Sequence, residues 1–422
     1  MSIYWFILIY STFFLNLFII IKSIYYKNLL GFIFFSAWLG IYTIQEIIII
    51  YDLVEENSVK YLNVIINHDG FKIAAIIHFI FLITLFFIKL SLPKNPAIYN
   101  RLYFCNFKCK VFYSVIFFTM MGIFFYKLGG ISNIIHLSRP ANITGLSMFL
   151  FFFVSAKIFL IATYKKKFDR YFLFLYILTL IIFSMTSRQH LLMSIVSIMT
   201  FVWIFKIRML NYNIFNLKTV IAISTLPIGF LLLGLVKLRN NSVDLIMKDG
   251  LISYFSTTFE SLWSFIYLMY KIAIEGFSNI AAFFSKNGLE YMPNFLVGQL
   301  GFFAYFIPGG LRGFLSDYTI FVNSFTNVEG NVPPVFTYIM ESFHILGILV
   351  MFLLFYFIFR LLFKLFYCNG FKFFFYLILL NNSILIIRGT PENFIAYVYY
   401  DLIGLLLLYL LSNKSRKYEN IN

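Results

Sequence analysis

The chain has 422 residues, of which 61% are hydrophobic and only 12% are charged, and it carries a formal net charge of +16. A soluble protein of that apolarity would lack enough polar side chains to cover its surface, so the composition excludes a soluble globular protein and indicates an integral membrane protein. The positive charge does not indicate a nucleic-acid-binding protein, because the lysines concentrate in loops between apolar segments, where cations establish membrane topology.

Long uncharged stretches predict an all-α, polytopic membrane protein with about 11 transmembrane helices. The first stretch, Ile3–Ile21, lacks a basic leader and a small-residue cleavage site, and is therefore predicted to be a span rather than a signal peptide. The predicted spans cover residues 3–21, 29–51, 73–90, 111–128, 142–163, 171–186, 191–206, 219–236, 343–363, 373–387 and 394–411.

The loops between these spans alternate in charge, and the alternation predicts their orientation. A cation-rich set is predicted to be cytoplasmic and lies at 22–27, 89–110, 165–170, 206–218, 360–372 and 414–417. The other set holds most of the acids, including Asp52, Glu55, Glu56 and Asp69, and is predicted to face outward. The N-terminus is then outside and the C-terminus inside.

The spacing of the spans divides the chain into three parts. Residues 1–236 form a bundle of about eight spans, 237–342 a long outer loop, and 343–422 a second bundle of about three spans with a short cytoplasmic tail. Two semi-apolar segments in the loop, 251–270 and 291–308, are predicted helices at or partly within the outer leaflet. Two further spans there, which would give about 13, fit equally well with the orientation. So long a loop predicts a lid over a substrate.

Three arginines interrupt apolar stretches at short polar turns on the predicted outer side. They lie in Thr186-Ser187-Arg188-Gln189-His190, Gly309-Gly310-Leu311-Arg312-Gly313 and Ile387-Arg388-Gly389-Thr390-Pro391-Glu392. Cations are disfavoured on that side, and a guanidinium fork binds phosphate through two parallel hydrogen bonds, so the pattern predicts phosphate recognition. The alternatives are an arginine at 188 that only reaches lipid headgroups, a flexible glycine turn around 312, and an ion pair of Arg388 with Glu392.

Glu341 and His344 stand at the start of the ninth predicted span and share a helix face at this spacing. A carboxylate and an imidazole at the membrane surface predict a general base for a hydroxyl group, although a structural ion pair or a helix cap fits equally. The chain has no metal-ligand spacing, nucleotide-binding glycine loop or nucleophile elbow. We therefore expect no metal or other cofactor, and any group transfer must use a donor already activated in the membrane.

Several segments, in order, give the chain a resemblance to a known family. They are Leu128-Gly129-Gly130-Ile131-Ser132 after the fourth predicted span, the Thr186-Ser187-Arg188-Gln189 hairpin, the long outer loop, and Pro333-Pro334-Val335-Phe336-Thr337-Tyr338-Ile339-Met340-Glu341-Ser342-Phe343 leading into Leu346-Gly347-Ile348. In these segments and in its topology, the chain resembles the O-antigen polymerases of the Wzy type, which join oligosaccharide repeat units.

The resemblance implies a metal-independent glycosyltransferase of the bacterial inner membrane that acts in lipopolysaccharide or related polysaccharide biosynthesis. The growing chain on one undecaprenyl pyrophosphate would be transferred to a new lipid-linked repeat unit at the periplasmic face. The expected partners are the undecaprenyl-pyrophosphate-linked oligosaccharide, membrane lipids and a chain-length regulator. Glu341 or His344 would deprotonate the acceptor hydroxyl. The groups expected at the leaving pyrophosphate are Arg188, Arg312, Arg388 and Arg239.

Two other functions remain open at the level of sequence. An O-antigen ligase shares the general plan but transfers the polymer to the lipid A core. A flippase or other transporter is expected to show internal repeats and polar residues at mid-membrane. The sequence shows no clear repeat and few polar residues at mid-span, namely Lys157, Asn381, Asn382 and Asp401, which argues against a transporter.

Overall fold

The structure is a computed structural model, and it describes residues 2–26, 28–61, 64–87, 107–127, 276–287 and 343–366, with isolated residues at 174–175, 178, 266–267, 270, 307, 339, 379, 382, 387, 398–399 and 402–403. The chain divides into two compact units. One comprises Met1–Leu92, Lys237–Arg360 and Ser383–Ile395, and the other comprises Pro93–Val236, Leu361–Asn382 and Ala396–Asn422.

Three apolar helical segments begin the first unit. The first is α1, Ile3–Tyr25. The second is α2, Leu29–Trp38, which continues through a π-helical turn, Leu39–Thr43, into α3, Ile44–Glu55. The third is α4, His68–Phe86. All three are long and apolar enough to cross a membrane, which confirms that the first three predicted spans are apolar helices of that length.

The burial of α1 is that of a membrane helix. Most of its exposed side chains are large and apolar, and seven of them recur every three or four residues: Ile3, Ile7, Tyr10, Phe14, Phe18, Ile21 and Tyr25. The hydroxyl of the exposed Ser11 donates to the Ile7 carbonyl of its own helix at 2.7 Å. Its buried face includes the polar residues Thr12, Asn16 and Ser23. A helix in water shows the opposite arrangement, so this face is suited to contact lipid.

Asparagine caps determine where α2 and α4 start. The Asn28 side chain accepts a hydrogen bond from the Gly31 N–H at 3.1 Å, and the Asn67 side chain accepts one from the Gly70 N–H at 2.8 Å. Each cap satisfies one of the amide groups that the first turn of a helix leaves unpaired.

A short β-hairpin joins α3 to α4. Strands β1, Ser58–Tyr61, and β2, Val64–Asn67, pair antiparallel with Ser58 opposite Asn67 and Tyr61 opposite Val64. The sequence predicted an outward-facing loop between the second and third spans of an all-α protein, and the four-residue strands are too short for their alternation to stand out. The hairpin marks one end of the three-helix group, which is called the hairpin end below.

A helix from the predicted outer loop packs among these helices. In chain order, α5 is Phe107–Lys127 in the second unit, and the helix from the loop is α6, Phe277–Asn287. Near its C-terminus, Ser285 Oγ accepts a hydrogen bond from the Asn67 N–H at 3.0 Å, and near its N-terminus the Ser278 N–H donates to Gln45 Oε1 at 3.0 Å. A helix of this length rises about 16 Å. It therefore runs from the hairpin end to about halfway along α2 and α3.

The other described helices overlap predicted spans. The α5 helix overlaps the predicted span 111–128. The predicted span 343–363 corresponds to a 3-10 turn, His344–Leu346, followed by α7, Gly347–Phe366, which ends three residues beyond the predicted span. Within the first unit, α7 packs on α2, with the rings of Phe355 and Phe34 4.6 Å apart. The remaining predicted spans and the segments 251–270 and 291–308 lie wholly or largely outside the described residues, so the count of about 11 spans stays a prediction.

Candidate functional site

The side chains predicted to carry the chemistry are not among those that the structure describes. His344 begins the 3-10 turn before α7, but its side chain is not described. The others lie outside the described residues: Arg188, Arg239, Arg312, Arg388 and Glu341. Whether these residues come together stays a prediction. One described contact reaches the neighbour of Arg388 in the chain, because the Tyr42 hydroxyl donates to the Ile387 carbonyl at 3.1 Å.

The described residues instead bring together a polar cluster around the π-helical turn, fully buried inside the first unit. The Trp38 Nε1–H donates to His78 Nε2 at 2.7 Å, and His78 Nδ1 lies 2.7 Å from Glu46 Oε2. The side chains of Trp38, Glu46 and His78 are completely inaccessible to solvent. Trp38, Tyr42 and Glu46, spaced four apart, all face His78.

Neighbouring helices hold the π-helical turn from two sides. The Asn16 amide from α1 lies 3.0 Å from the Thr43 hydroxyl. In the orientation that pairs both ends of the amide, it also donates to the Phe35 carbonyl and accepts from the Leu39 N–H, each at 3.2 Å. On another side Gly276 packs directly against the backbone of Ile41. Turns of this type often mark functional sites, and here an inserted polar side chain accounts for the irregularity.

Aromatic rings surround the cluster and keep it dry. The Trp38 ring stacks on Tyr42 with centroids 4.0 Å apart and meets Phe81 at 4.8 Å. The Phe277 ring of α6 lies 5.8 Å from the His78 ring. In such a low-dielectric interior, a paired polar group is bound strongly and an unpaired one is costly.

The cluster lies near the middle of the three apolar helices. His78 is next to the midpoint of α4, and Glu46 and Asn16 are within one turn of the midpoints of their apolar segments. If these helices cross a membrane, the cluster lies near the centre of the hydrocarbon layer. Ionisable groups at that depth are rare and are usually functional.

Sequence reasoning missed this cluster, and its view that few polar residues lie at mid-span needs correction. Glu46 stands alone in an apolar stretch and His78 stands alone in another, with no spacing that links them. The only available signal was an acid in the second predicted span. The pairing depends on how α3 packs on α4.

A second polar group lies at the hairpin end. The Tyr61 hydroxyl donates to Asp52 Oδ2 at 2.5 Å, and the Tyr267 hydroxyl donates to the same carboxylate at 2.9 Å and 3.1 Å. Burial, and then the hydrogen bond to Asp52, raise the pKa of Tyr61 above its ordinary value. Among the described residues, no group of three or more His, Cys, Asp or Glu side chains could hold a metal ion.

Removing the Tyr61 hydroxyl should have a pH-dependent effect on stability. Below about pH 10, Tyr61→Phe should lower the free energy of unfolding by about 1.5–3 kcal/mol, because the lost bond goes to a charged acceptor. Above that pH the difference should shrink. Tyrosine ionises earlier in the unfolded chain than in the folded one, so the folded wild type loses stability as the pH rises.

The measurement is chemical unfolding of the detergent-solubilised chain at neutral and alkaline pH. The exposed Tyr126 provides a matched control, and Tyr126→Phe should leave the stability near that of wild type at both pH values. Equal stability of Tyr61→Phe and wild type at neutral pH would contradict the role assigned to the Asp52 bond.

Comparisons of the chain with protein-family models, curated proteins and solved structures give no match.

Proposed function

We propose that this chain is a glycosyltransferase of the bacterial inner membrane that polymerises undecaprenyl-pyrophosphate-linked repeat units at the periplasmic face, with its N-terminus periplasmic and its C-terminus cytoplasmic. The observation that carries the proposal is the position of Arg188, Arg312 and Arg388, each in a polar turn beside apolar segments. Arginines at a membrane edge match the chemistry of a lipid-bound pyrophosphate. The described apolar helices support a membrane setting.

The contact between Tyr42 and Ile387 supports a role for Arg388. The Tyr42 side chain is fully buried in the π-helical turn, and its hydroxyl binds the carbonyl directly before Arg388 in the chain. A catalytic arginine needs a rigid support, because small displacements of a charged group weaken its action on the transition state.

In the proposed reaction the acceptor hydroxyl attacks the anomeric carbon of the growing chain. The new glycosidic bond forms as the bond to the pyrophosphate oxygen breaks, and the hydroxyl proton passes to Glu341 or His344. Undecaprenyl pyrophosphate leaves with additional negative charge. Arg188, Arg312 and Arg388, with Arg239, would stabilise that charge.

Deletion of the gene tests the proposal through the lipopolysaccharide of the mutant strain. Loss of a polymerase should leave a single repeat unit on the lipid A core. Loss of a ligase should leave the core bare while long polymer stays on the lipid carrier. A mutant with a bare core would contradict polymerisation as the function.

The buried Glu46–His78 pair favours a transporter as the second candidate. Carboxylate and imidazole groups inside membrane helices commonly line ion or proton paths. A flippase for lipid-linked repeat units would be consistent with this pair. Deletion of a flippase gene should leave a bare lipid A core and unpolymerised repeat units on the carrier. This phenotype distinguishes a flippase from both a polymerase and a ligase.

A further inference from the structure

The hydrogen bonds around His78 determine where its proton lies. The indole N–H of Trp38 can only donate, so His78 Nε2 must accept, and the neutral ring carries its hydrogen on Nδ1. Nδ1–H then donates to Glu46 Oε2. A second proton on the ring would require the bond from Trp38 to break. The hydrogen bond from Trp38 therefore occupies the ring nitrogen that a second proton would need.

Glu46 has one carboxylate oxygen to spare. Oε2 accepts from His78, whereas Oε1 is fully buried and has no hydrogen-bond partner among the residues that the structure describes. With His78 neutral, the pair carries one negative charge, located on Glu46. A charge with a bare oxygen in an apolar interior is costly, and a proton on Oε1 removes that charge.

The start of α6 stabilises the opposite, charged form. The backbone N–H of Ser278 donates to Gln45, the neighbour of Glu46, and Phe277 contacts His78. A helix start carries the positive end of the helix dipole, which attracts a carboxylate. Ser278 Oγ is also buried without a hydrogen-bond partner among the described residues. The apolar surroundings and the helix start thus act in opposite directions on Glu46.

The groups around the cluster leave few other sites for a proton. The polar side chains that the surrounding elements contribute are Asn16 from α1, Trp38 from α2, Tyr42 and Thr43 from the π-helical turn, Gln45 from α3, His78 from α4, and Ser278 and Asn279 from α6. The buried Tyr270 also places its hydroxyl beside Gly40 of the π-helical turn. Of these side chains, Tyr42, Tyr270 and His78 are ionisable, and Tyr42 and His78 are held by hydrogen bonds. No lysine or arginine of the described ranges is among them.

We propose that Glu46 and His78 form a proton-binding site in the interior of the membrane helices, in which Glu46 Oε1 takes the proton. A hydronium ion from the solvent gives its proton to a lone pair of Oε1, so that one O–H bond of the hydronium breaks, an O–H bond forms on Glu46, and a water molecule is released. The charge of the pair changes from one negative charge to zero. This site uses none of the residues assigned to the glycosyltransferase reaction, and its test needs no polymerase activity.

Infrared difference spectroscopy on the full chain in lipid nanodiscs tests the site. Lowering the pH from about 9 to about 5 should produce the carbonyl band of a neutral carboxylic acid that shifts in heavy water. Glu46→Gln should lack this band. Asp52→Asn, a change at the hairpin end of the same helix, should keep it. Size-exclusion elution verifies that each variant is folded.

Trp38→Phe tests which atom takes the proton. Because this variant retains Glu46, it also tests the site if Glu46→Gln does not fold. Without the indole donor, His78 Nε2 is free, so the proton should move to the ring and leave Glu46 as a carboxylate. The acid band should then fall several-fold. A hydrogen bond with a purely structural role would not produce this transfer.

Three results would overturn the proposal. The first is an acid band that Glu46→Gln leaves unchanged, since the proton would then be elsewhere. The second is a Glu46 signal that stays the same across the whole pH range, since the pair would then be permanently neutral or permanently charged. The third is an acid band of full size in folded Trp38→Phe, which would contradict the proton position on Oε1.

Discussion

Arg188→Ala and Arg388→Ala should each abolish detectable polymer while the protein still accumulates in the membrane. Each change removes a charge-assisted contact to the leaving pyrophosphate, which is expected to cost about 2–4 kcal/mol in the transition state, or about a thirty- to a thousandfold loss in rate. The measurement is the lipopolysaccharide ladder of a deletion strain that carries each variant, with immunoblots of the membrane fraction to quantify the protein.

Two comparisons make this result specific. Arg188→Lys and Arg388→Lys keep the charge but lose the planar fork, so polymer should be partly restored. Arg360 is exposed on α7 at the predicted cytoplasmic end of the ninth span, so Arg360→Ala should give a normal ladder. Normal ladders from both alanine variants at 188 and 388 would refute pyrophosphate binding by these arginines.

Gly70→Ala and Gly276→Ala should each destabilise the first unit by at least about 2 kcal/mol, because overpacked sites of this kind force neighbouring groups to move. A methyl group at Gly70 would overlap Ser285, including its backbone nitrogen and Cα atom. A methyl group at Gly276 would overlap the carbonyl oxygen and side chain of Ile41. Backbone atoms cannot rotate away, so α6 would have to move off its neighbours.

Two other glycines provide controls for this prediction. Nothing lies within 4 Å of a Cβ atom at Gly122, and at Gly40 the nearest atom is the Tyr270 hydroxyl at the ordinary distance of 3.8 Å. Gly122→Ala should be neutral or stabilising by up to about 1 kcal/mol, since alanine favours a helix. The measurement is the fraction of monodisperse protein after heating. Equal midpoints for Gly70→Ala and Gly122→Ala would show that α6 does not pack closely on α4.

The packing of α6 also bears on the predicted outer loop. Within the predicted outer loop, residues 237–342, α6 is buried over most of its length and packs against the start of α4. The N-terminus of α6 contacts the residue next to Glu46, because the Ser278 N–H donates to Gln45 Oε1. The predicted loop and the buried cluster are therefore connected by a direct hydrogen bond.

The apolar helices could be predicted because hydrophobic length is a local property. A run such as Ile3–Ile21 must be a helix if it lies in lipid, since only helices and closed barrels satisfy their backbone there. The caps at Asn28 and Asn67 follow from the same local logic. The predicted phosphate-binding arginines rest on position alone, and the structure leaves them as a prediction because their side chains lie outside the described residues.

The π-helical turn, the hairpin and the Glu46–His78 pair could not be predicted in this way, because each depends on contacts between distant parts of the chain. The turn is held by Asn16 and by the start of α6, and the pair joins residues 32 positions apart. Local sequence thus defines which segments are apolar enough to be helices in a membrane. Tertiary packing decides which polar side chains inside these helices meet. A single glutamate and a single histidine form a hydrogen bond only when two helices bring them into contact.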